Sequence, residues 1–254
     1  MTRVCVVYGT GMKNLPLFFS NSWGTPLSNI RCDSIWGKVP ISVISSNNNF
    51  IAFLNRHHSQ SGHITPPHSI EHRSNIHAAA STSPDVIISI NSVGAIDAKF
   101  IPGDLGLALD IIDFSTESWS FHDLEAFHSD RTRLFDREVM GIISNFLDKE
   151  QEKKVSKLIV AQCTGPQFES PAEINALEMI GVGAVNMTLG PESRLISELS
   201  IPHVSLICSS NWAAGRNPQG SDISINHDEV ENIAHSMEKT IFNCIDSLIN
   251  NFKI

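Results

Sequence analysis

The chain has 254 residues, of which 41% are apolar and 18% charged, and carries a formal net charge of −9. That length buries one substantial core, and the composition is that of an ordinary soluble globule. The acidic balance excludes a global field for nucleic acid or an anionic membrane, and no apolar run approaches the ~20 residues of a membrane span.

From the N-terminus, the run ending in Val6-Val7-Tyr8-Gly9 is short and stops at a glycine turn, so it reads as a first buried strand rather than a signal peptide. Apolar, β-branched runs at 4–8, 41–44, 86–90, 158–160, 184–187 and 204–208 predict strands covered on both faces. Helices are expected between them. At 134–147, Phe135, Val139, Ile142, Ile143 and Phe146 share one face, and a second helix opens at Pro171 and stops near Ile180. A last helix runs from the N-cap Asn226 along a stripe of Val230, Ile233, Met237, Ile241, Ile245 and Leu248. Strands interleaved with helices predict an α/β fold, a single domain over 1–254 with a mixed, largely parallel central sheet flanked by helices. The stretches 47–77, 115–132 and 212–226 read as irregular. Cys5, Cys32, Cys163, Cys208 and Cys244 are scattered without a CxxC pair, which fits free thiols and a cytoplasmic protein.

Polar clusters follow several strands, where open α/β sheets bind ligands. Tyr8-Gly9-Thr10-Gly11 offers amides and a hydroxyl to an anion, although the motif taken by itself also fits a plain turn. Arg56-His57 supplies a fork and an imidazole suited to phosphate. His68 and His72 stand four apart, but Pro66-Pro67 precede them and no acidic or Cys ligand supports them, so no metal site is expected. In Gly165-Pro166-Gln167-Phe168-Glu169-Ser170-Pro171, an aromatic and a carboxylate at a helix entrance fit a flat heterocycle; a core phenylalanine and a helix-entrance carboxylate fit equally well.

Taken in order, these motifs together with Pro67-His68, Arg73-Ser74-Asn75, Asn91-Ser92-Val93-Gly94, Pro102-Gly103-Asp104, Asn186-Met187-Thr188, Pro191-Glu192 and Ser210-Asn211-Trp212 resemble the trimeric purine nucleoside phosphorylase and methylthioadenosine phosphorylase family, from residue 4 to about 245. The resemblance implies cleavage of a purine nucleoside by inorganic phosphate, with phosphate as co-substrate and no cofactor. It places phosphate on Thr10, Arg56, His57, Asn91 and Ser92, the ribose on Met187 and His227, and the base on Phe168, Glu169, Asn186, Ser210 and Asn211. Asn211, Glu169 and His57 are the residues expected to act in catalysis.

Within that resemblance, Asn211 stands where adenine-specific members carry Asp, and Glu169 where 6-oxopurine enzymes accept the N1–H. Groups built for one hydrogen-bonding pattern reject the other by roughly 10⁴, so inosine or guanosine is the expected substrate. Methylthioinosine or methylthioadenosine is the alternative, because the 212–226 loop looks closer to the methylthio branch, whereas His227 suits a 5′-hydroxyl. Tyr8 and His72 depart from the family pattern. The resemblance further implies a homotrimer or dimer of trimers, with the 120–130 segment (Phe121, Phe127, His128) lent to a neighbour.

Overall fold

The computed structural model of the chain describes residues 2–46, 49–59 and 63–252. Its frame is a mixed sheet of β1 (Thr2–Tyr8), β2 (Ser28–Ser34), β3 (Gly37–Ser46), β4 (Asn49–Asn55), β5 (Val86–Ala95), β6 (Leu105–Asp113), β7 (Ser156–Gln162), β8 (Ala184–Asn186) and β9 (His203–Trp212). The order is β2-β3-β4-β1-β5-β8-β7-β6-β9, and β9 also pairs with β5. The last five strands therefore close on themselves, and the first four extend from them as a flap of sheet. β1 runs parallel to β4 and β5, and β5 parallel to β9; β2, β3 and β4 form an antiparallel meander.

The continuously apolar strands β1, β5 and β9 lie at the centre, buried almost throughout. That is the burial a strand covered on both faces requires. Sequence reasoning anticipated them but not β2, β4 or β6. β4 (NFIAFLN) falls inside the stretch 47–77 that composition marked as irregular; its apolar centre pairs with β1 over seven residues. Residues 47–48 and 60–62 of that stretch lie outside the described residues, and its end forms helix α2 (His72–Ser81). His68 sits on a separate 3-10 turn, Pro67–Ser69, so His68 and His72 do not share a helix face. The 115–132 stretch contains no strand or helix, as expected.

On one face of the sheet, α1 (Leu15–Trp23), α3 (Arg137–Glu150) and α7 (Glu238–Asn251) cover a core in which Phe19 meets Phe53 at 5.4 Å and Phe242 at 4.7 Å. On the other, α2 and α5 (Leu189–Leu199) cover Cys5, Val7 and Ile87. The Asp136 side chain caps α3 by accepting from Val139 N at 2.9 Å, and a Ser170/Glu173 capping box opens α4 (Pro171–Met179) at the expected proline.

The single last helix expected from Asn226 onward is two helices, α6 (His227–Ser236) and α7, interrupted at Met237. The next residue, Glu238, is buried and accepts from Asn14 N at 2.6 Å. This turn lays α6 over the loop after β1. Gly11, at φ +78°, lies so close that a Cβ there would come within 2.5 Å of Ala234 Cβ. Gly11→Ala combines left-handed strain with overpacking. We expect it to lower unfolding stability by about 1–3 kcal/mol in urea titration with an unchanged m-value.

Candidate active site

The C-terminal ends of β1 and β4 lie side by side at one edge of the sheet, and the polar motifs that follow them meet there. Arg56 N donates to Tyr8 O at 2.8 Å, which continues the β1–β4 ladder by one residue and fixes Arg56 beside the Gly9-Thr10-Gly11 turn. Its guanidinium is 3% exposed. Nε donates to Glu192 Oε1 at 2.6 Å, Nη2 to Glu192 Oε2 at 3.3 Å and Val7 O at 3.1 Å, and Nη1 to Ile90 O at 2.8 Å. Four of the five guanidinium hydrogens are thus occupied by the protein. The fifth is on Nη1, the nitrogen beside Gly9: a Cβ at Gly9 would stand 2.7 Å from Nη1 and 3.1 Å from His57 Nε2. Arg56 therefore places a buried positive charge beside the glycine turn, and one of its hydrogens has no partner among the described residues.

His57 Nδ1 lies 2.8 Å from Thr65 O. Burial, then the Arg56 charge, push its pKa down to about 4, against the opposing pull of that carbonyl. The ring is neutral at pH 7, its proton sits on Nδ1, and Nε2 presents a lone pair. The half-buried Thr10 leaves its side-chain hydroxyl unbonded among the described residues, and Ser92 Oγ reaches Thr10 O at 3.5 Å. Tyr8 turns into the core and is only 9% exposed.

Asn91 and Asn186 are tied to the protein. Asn91 is wholly buried; Nδ2 donates to Thr188 Oγ1 at 3.2 Å, and Oδ1 accepts from Ser205 Oγ at 3.0 Å. Asn186 Oδ1 accepts from the backbone N of Thr188 and Leu189 at 2.8 and 2.7 Å, and its Nδ2 donates to Ser92 O at 2.8 Å. It braces the start of α5 against β5. Thr188, absent from the residues singled out above, is drawn to the site by both asparagines; its presence in the Asn-Met-Thr motif was the available signal.

The other end of the site is built by a β-bulge. Val93 pairs with Ser209 but Gly94 with Asn211, so Ser210 is the extra residue and β9 turns locally. Ser210 Oγ, with one hydrogen to give, lies 3.1 Å from Asn211 Oδ1 and 3.3 Å from Val93 O, and Asn211 Nδ2 donates to Trp212 O at 2.8 Å. The bond to Trp212 O sets which way round the carboxamide sits, and among the described residues its second N–H has no partner. Phe168 is 39% exposed, at the entrance to α4, so it is not a core residue. Glu169 beside it is half-buried; burial raises its pKa, opposed by its own backbone N–H and the Cys163 thiol and assisted by Glu173. Met187 packs on Gly165, where a Cβ would fall 2.6 Å from its Sδ. His227, the first residue of α6, is exposed.

Residues 34–250 match the family model described as the phosphorylase superfamily. A protein of Methanothermobacter thermautotrophicus named probable S-methyl-5′-thioinosine phosphorylase is 34% identical over 86% of this chain and 75% of its own length. One from Pyrococcus furiosus named 6-oxopurine nucleoside phosphorylase is 30% identical over 96% and 91%. Among solved structures, methylthioadenosine phosphorylase from Schistosoma mansoni in complex with adenine superposes with a TM-score of 0.85 at 17% identity, covering 98% of this chain and 91% of that one. At that identity the likeness concerns the fold.

Removing one partner of a buried ion pair leaves the other charge unpaired and costs about 3–5 kcal/mol. Glu192→Ala should show a loss of that size in chemical denaturation. A pH dependence also follows. Burial pushes His72 and His203, like His57, to pKa values far below normal, to about 3 each. The unfolded chain binds protons below about pH 6.5 that the native state refuses, so stability is full above that pH and declines as pH falls toward 4. His203→Gln should reduce the slope of unfolding free energy against pH, near pH 5, by about one bound proton.

Proposed function

This chain belongs to the phosphorylase superfamily, and we propose that it cleaves 6-oxopurine ribonucleosides of the inosine and guanosine type with inorganic phosphate, giving the free base and ribose 1-phosphate. The observation that carries this reading is the fixed carboxamide of Asn211. Its Oδ1 is held by Ser210 and one N–H by Trp212 O, so what it offers a ligand is a donor. A donor suits N7 or the 6-oxo group of a departing purine, where negative charge grows as the glycosidic bond breaks. Glu169 accepts the N1–H of a 6-oxopurine, and Phe168 stacks on the ring. Ser210 acts by orienting Asn211.

At the anion end, Thr10, Ser92, Thr188, Arg56 and His57 hold phosphate. Neutral His57 takes the hydroxyl hydrogen of hydrogen phosphate on Nε2, which orients the remaining oxygens toward C1′ of the sugar. Their charge stabilises the oxocarbenium-like sugar of the transition state, and holding both reactants in line supplies much of the acceleration. Met187 packs on the ribose and His227 reaches its 5′ end. Phosphate is a co-substrate; no cofactor takes part.

The relatives' names support the 6-oxopurine base and divide over the 5′ group, since S-methyl-5′-thioinosine phosphorylases stand beside 6-oxopurine nucleoside phosphorylases. Methylthioinosine is accordingly the second reading. In our reading the active form is a homotrimer or a dimer of trimers in the cytoplasm, with the 120–130 segment lent to a neighbour. There Phe127 is 48% exposed and stacks on His122 at 4.5 Å.

Base release from inosine, guanosine, adenosine, methylthioinosine and methylthioadenosine, each with and without phosphate, tests the proposal. We expect phosphate-dependent release from the 6-oxopurine nucleosides; preference for adenosine, or release without phosphate, overturns it. Asn211→Asp offers an acceptor where the wild type donates, and should raise the adenosine-to-inosine ratio of kcat/KM by roughly tenfold or more. An unchanged ratio removes Asn211 as the reader of the base.

A further inference from the structure

Resting on the phosphorylase reading, we infer that Ser205, buried in β9 and out of reach of substrate, is a positioning residue for phosphate: through Asn91 it turns the Thr188 hydroxyl into a donor toward the anion.

A helix N-terminus ordinarily offers backbone N–H groups to an anion. α5 has none to offer in its first turn. Leu189 N is taken by Asn186 Oδ1, Gly190 N donates to Gln162 Oε1 at 2.8 Å, Pro191 has no N–H, and Glu192 N closes back onto Thr188 O. The Thr188 hydroxyl is the donor left at this end of the helix. It carries one hydrogen, so its usefulness depends on where that hydrogen points.

The direction follows from how the Asn91 carboxamide sits, with its oxygen toward Ser205 and its nitrogen toward Thr188. Ser205 Oγ donates to Asn91 Oδ1 at 3.0 Å. With Oδ1 committed to Ser205, Nδ2 faces Thr188 and donates to its Oγ1 at 3.2 Å. A hydroxyl that receives a hydrogen bond from one side directs its own hydrogen elsewhere. That hydrogen reaches Asn186 Oδ1 at 3.3 Å, an oxygen already holding two shorter bonds from backbone N–H groups. This is the weakest contact of the set, and a phosphate oxygen displaces it easily. Each donation in the series polarises the next. Without the Ser205 hydroxyl, Asn91 Oδ1 is left buried without a donor. The carboxamide then turns over to accept from Thr188, and the hydroxyl no longer points at phosphate.

The series is internal. Ser205 and Asn91 are both wholly buried, between the sheet and α5. A purely structural role would lower stability and affect both substrates alike; an orienting role affects phosphate alone.

The test is calorimetric titration of wild type, Ser205→Ala, Thr188→Val and the double variant with inorganic phosphate, together with KM for phosphate and for inosine. We expect Ser205→Ala to weaken phosphate binding about tenfold, the scale of one lost orienting hydrogen bond, with the inosine KM unchanged. In the Thr188→Val background the same substitution should have no further effect, since its route to the anion is gone. Unaltered phosphate affinity in Ser205→Ala, equal changes for both substrates, or additive losses in the double variant overturn the inference. Ser205→Cys, which keeps the shape with a weaker donor, should show a smaller loss in the same direction, and it serves as the measurement if the alanine variant does not fold. Phosphate binding is read without turnover. If the wild type binds phosphate with this pattern yet cleaves no nucleoside, the phosphorylase reading fails while the role of Ser205 in anion binding stands.

Discussion

A buried guanidinium holds this site together. Arg56 joins β1 through Val7 O, β5 through Ile90 O and α5 through Glu192, so one side chain ties two central strands to the helix that covers them. Such a pair adds little net stability over an apolar alternative, because desolvating two charges offsets their attraction. What it supplies is a single arrangement: the positive charge can occupy one place, with one hydrogen left free. The neighbouring histidines respond to it. His57, His72 and His203 all have pKa values lowered by burial first and by Arg56 second, so the guanidinium is the cation of this region at neutral pH. An anion entering beside Gly9 meets a charge already in place, with little reorganisation at the moment of reaction.

Legibility in the sequence followed burial. β1, β5 and β9 are covered on both faces and read as unbroken apolar runs. β2 lies at the sheet edge, largely exposed, with a polar sequence, SNIRCDS, which carries almost no signal. β4 is apolar but short, and the Ser, Asn and His residues around it outweighed it in any compositional window. The last helix carried the right stripe and the right cap, yet its interruption at Met237 depends on Glu238 reaching Asn14, a contact between residues 224 positions apart that no local pattern encodes.

The site divides in the same way. Motifs at and just beyond strand ends pointed to Thr10, Arg56, His57, Phe168, Glu169 and Asn211, because the parallel strands deliver their C-terminal ends to one edge. What each residue does there depended on its partners. Asn91 and Asn186 belong to the same motifs, but their carboxamides are occupied inside the protein, and their contribution passes through Thr188 and Ser92. Spacing along a chain cannot show whether an amide faces a ligand or a neighbour. The bulge beside Asn211 is equally invisible: one residue more on β9 than on β5 shifts the register there, and the base-reading role proposed for Asn211 depends on it.

The closed first turn of α5 has an evolutionary consequence. Main-chain amides are the same whatever residue they belong to, so a pocket lined with them resists gradual change. Here the helix contributes a hydroxyl in place of its backbone, set by Asn186, Gln162 and Pro191. On the proposed reading of Thr188, affinity for phosphate on this wall lies within reach of single codon changes, without rebuilding the fold.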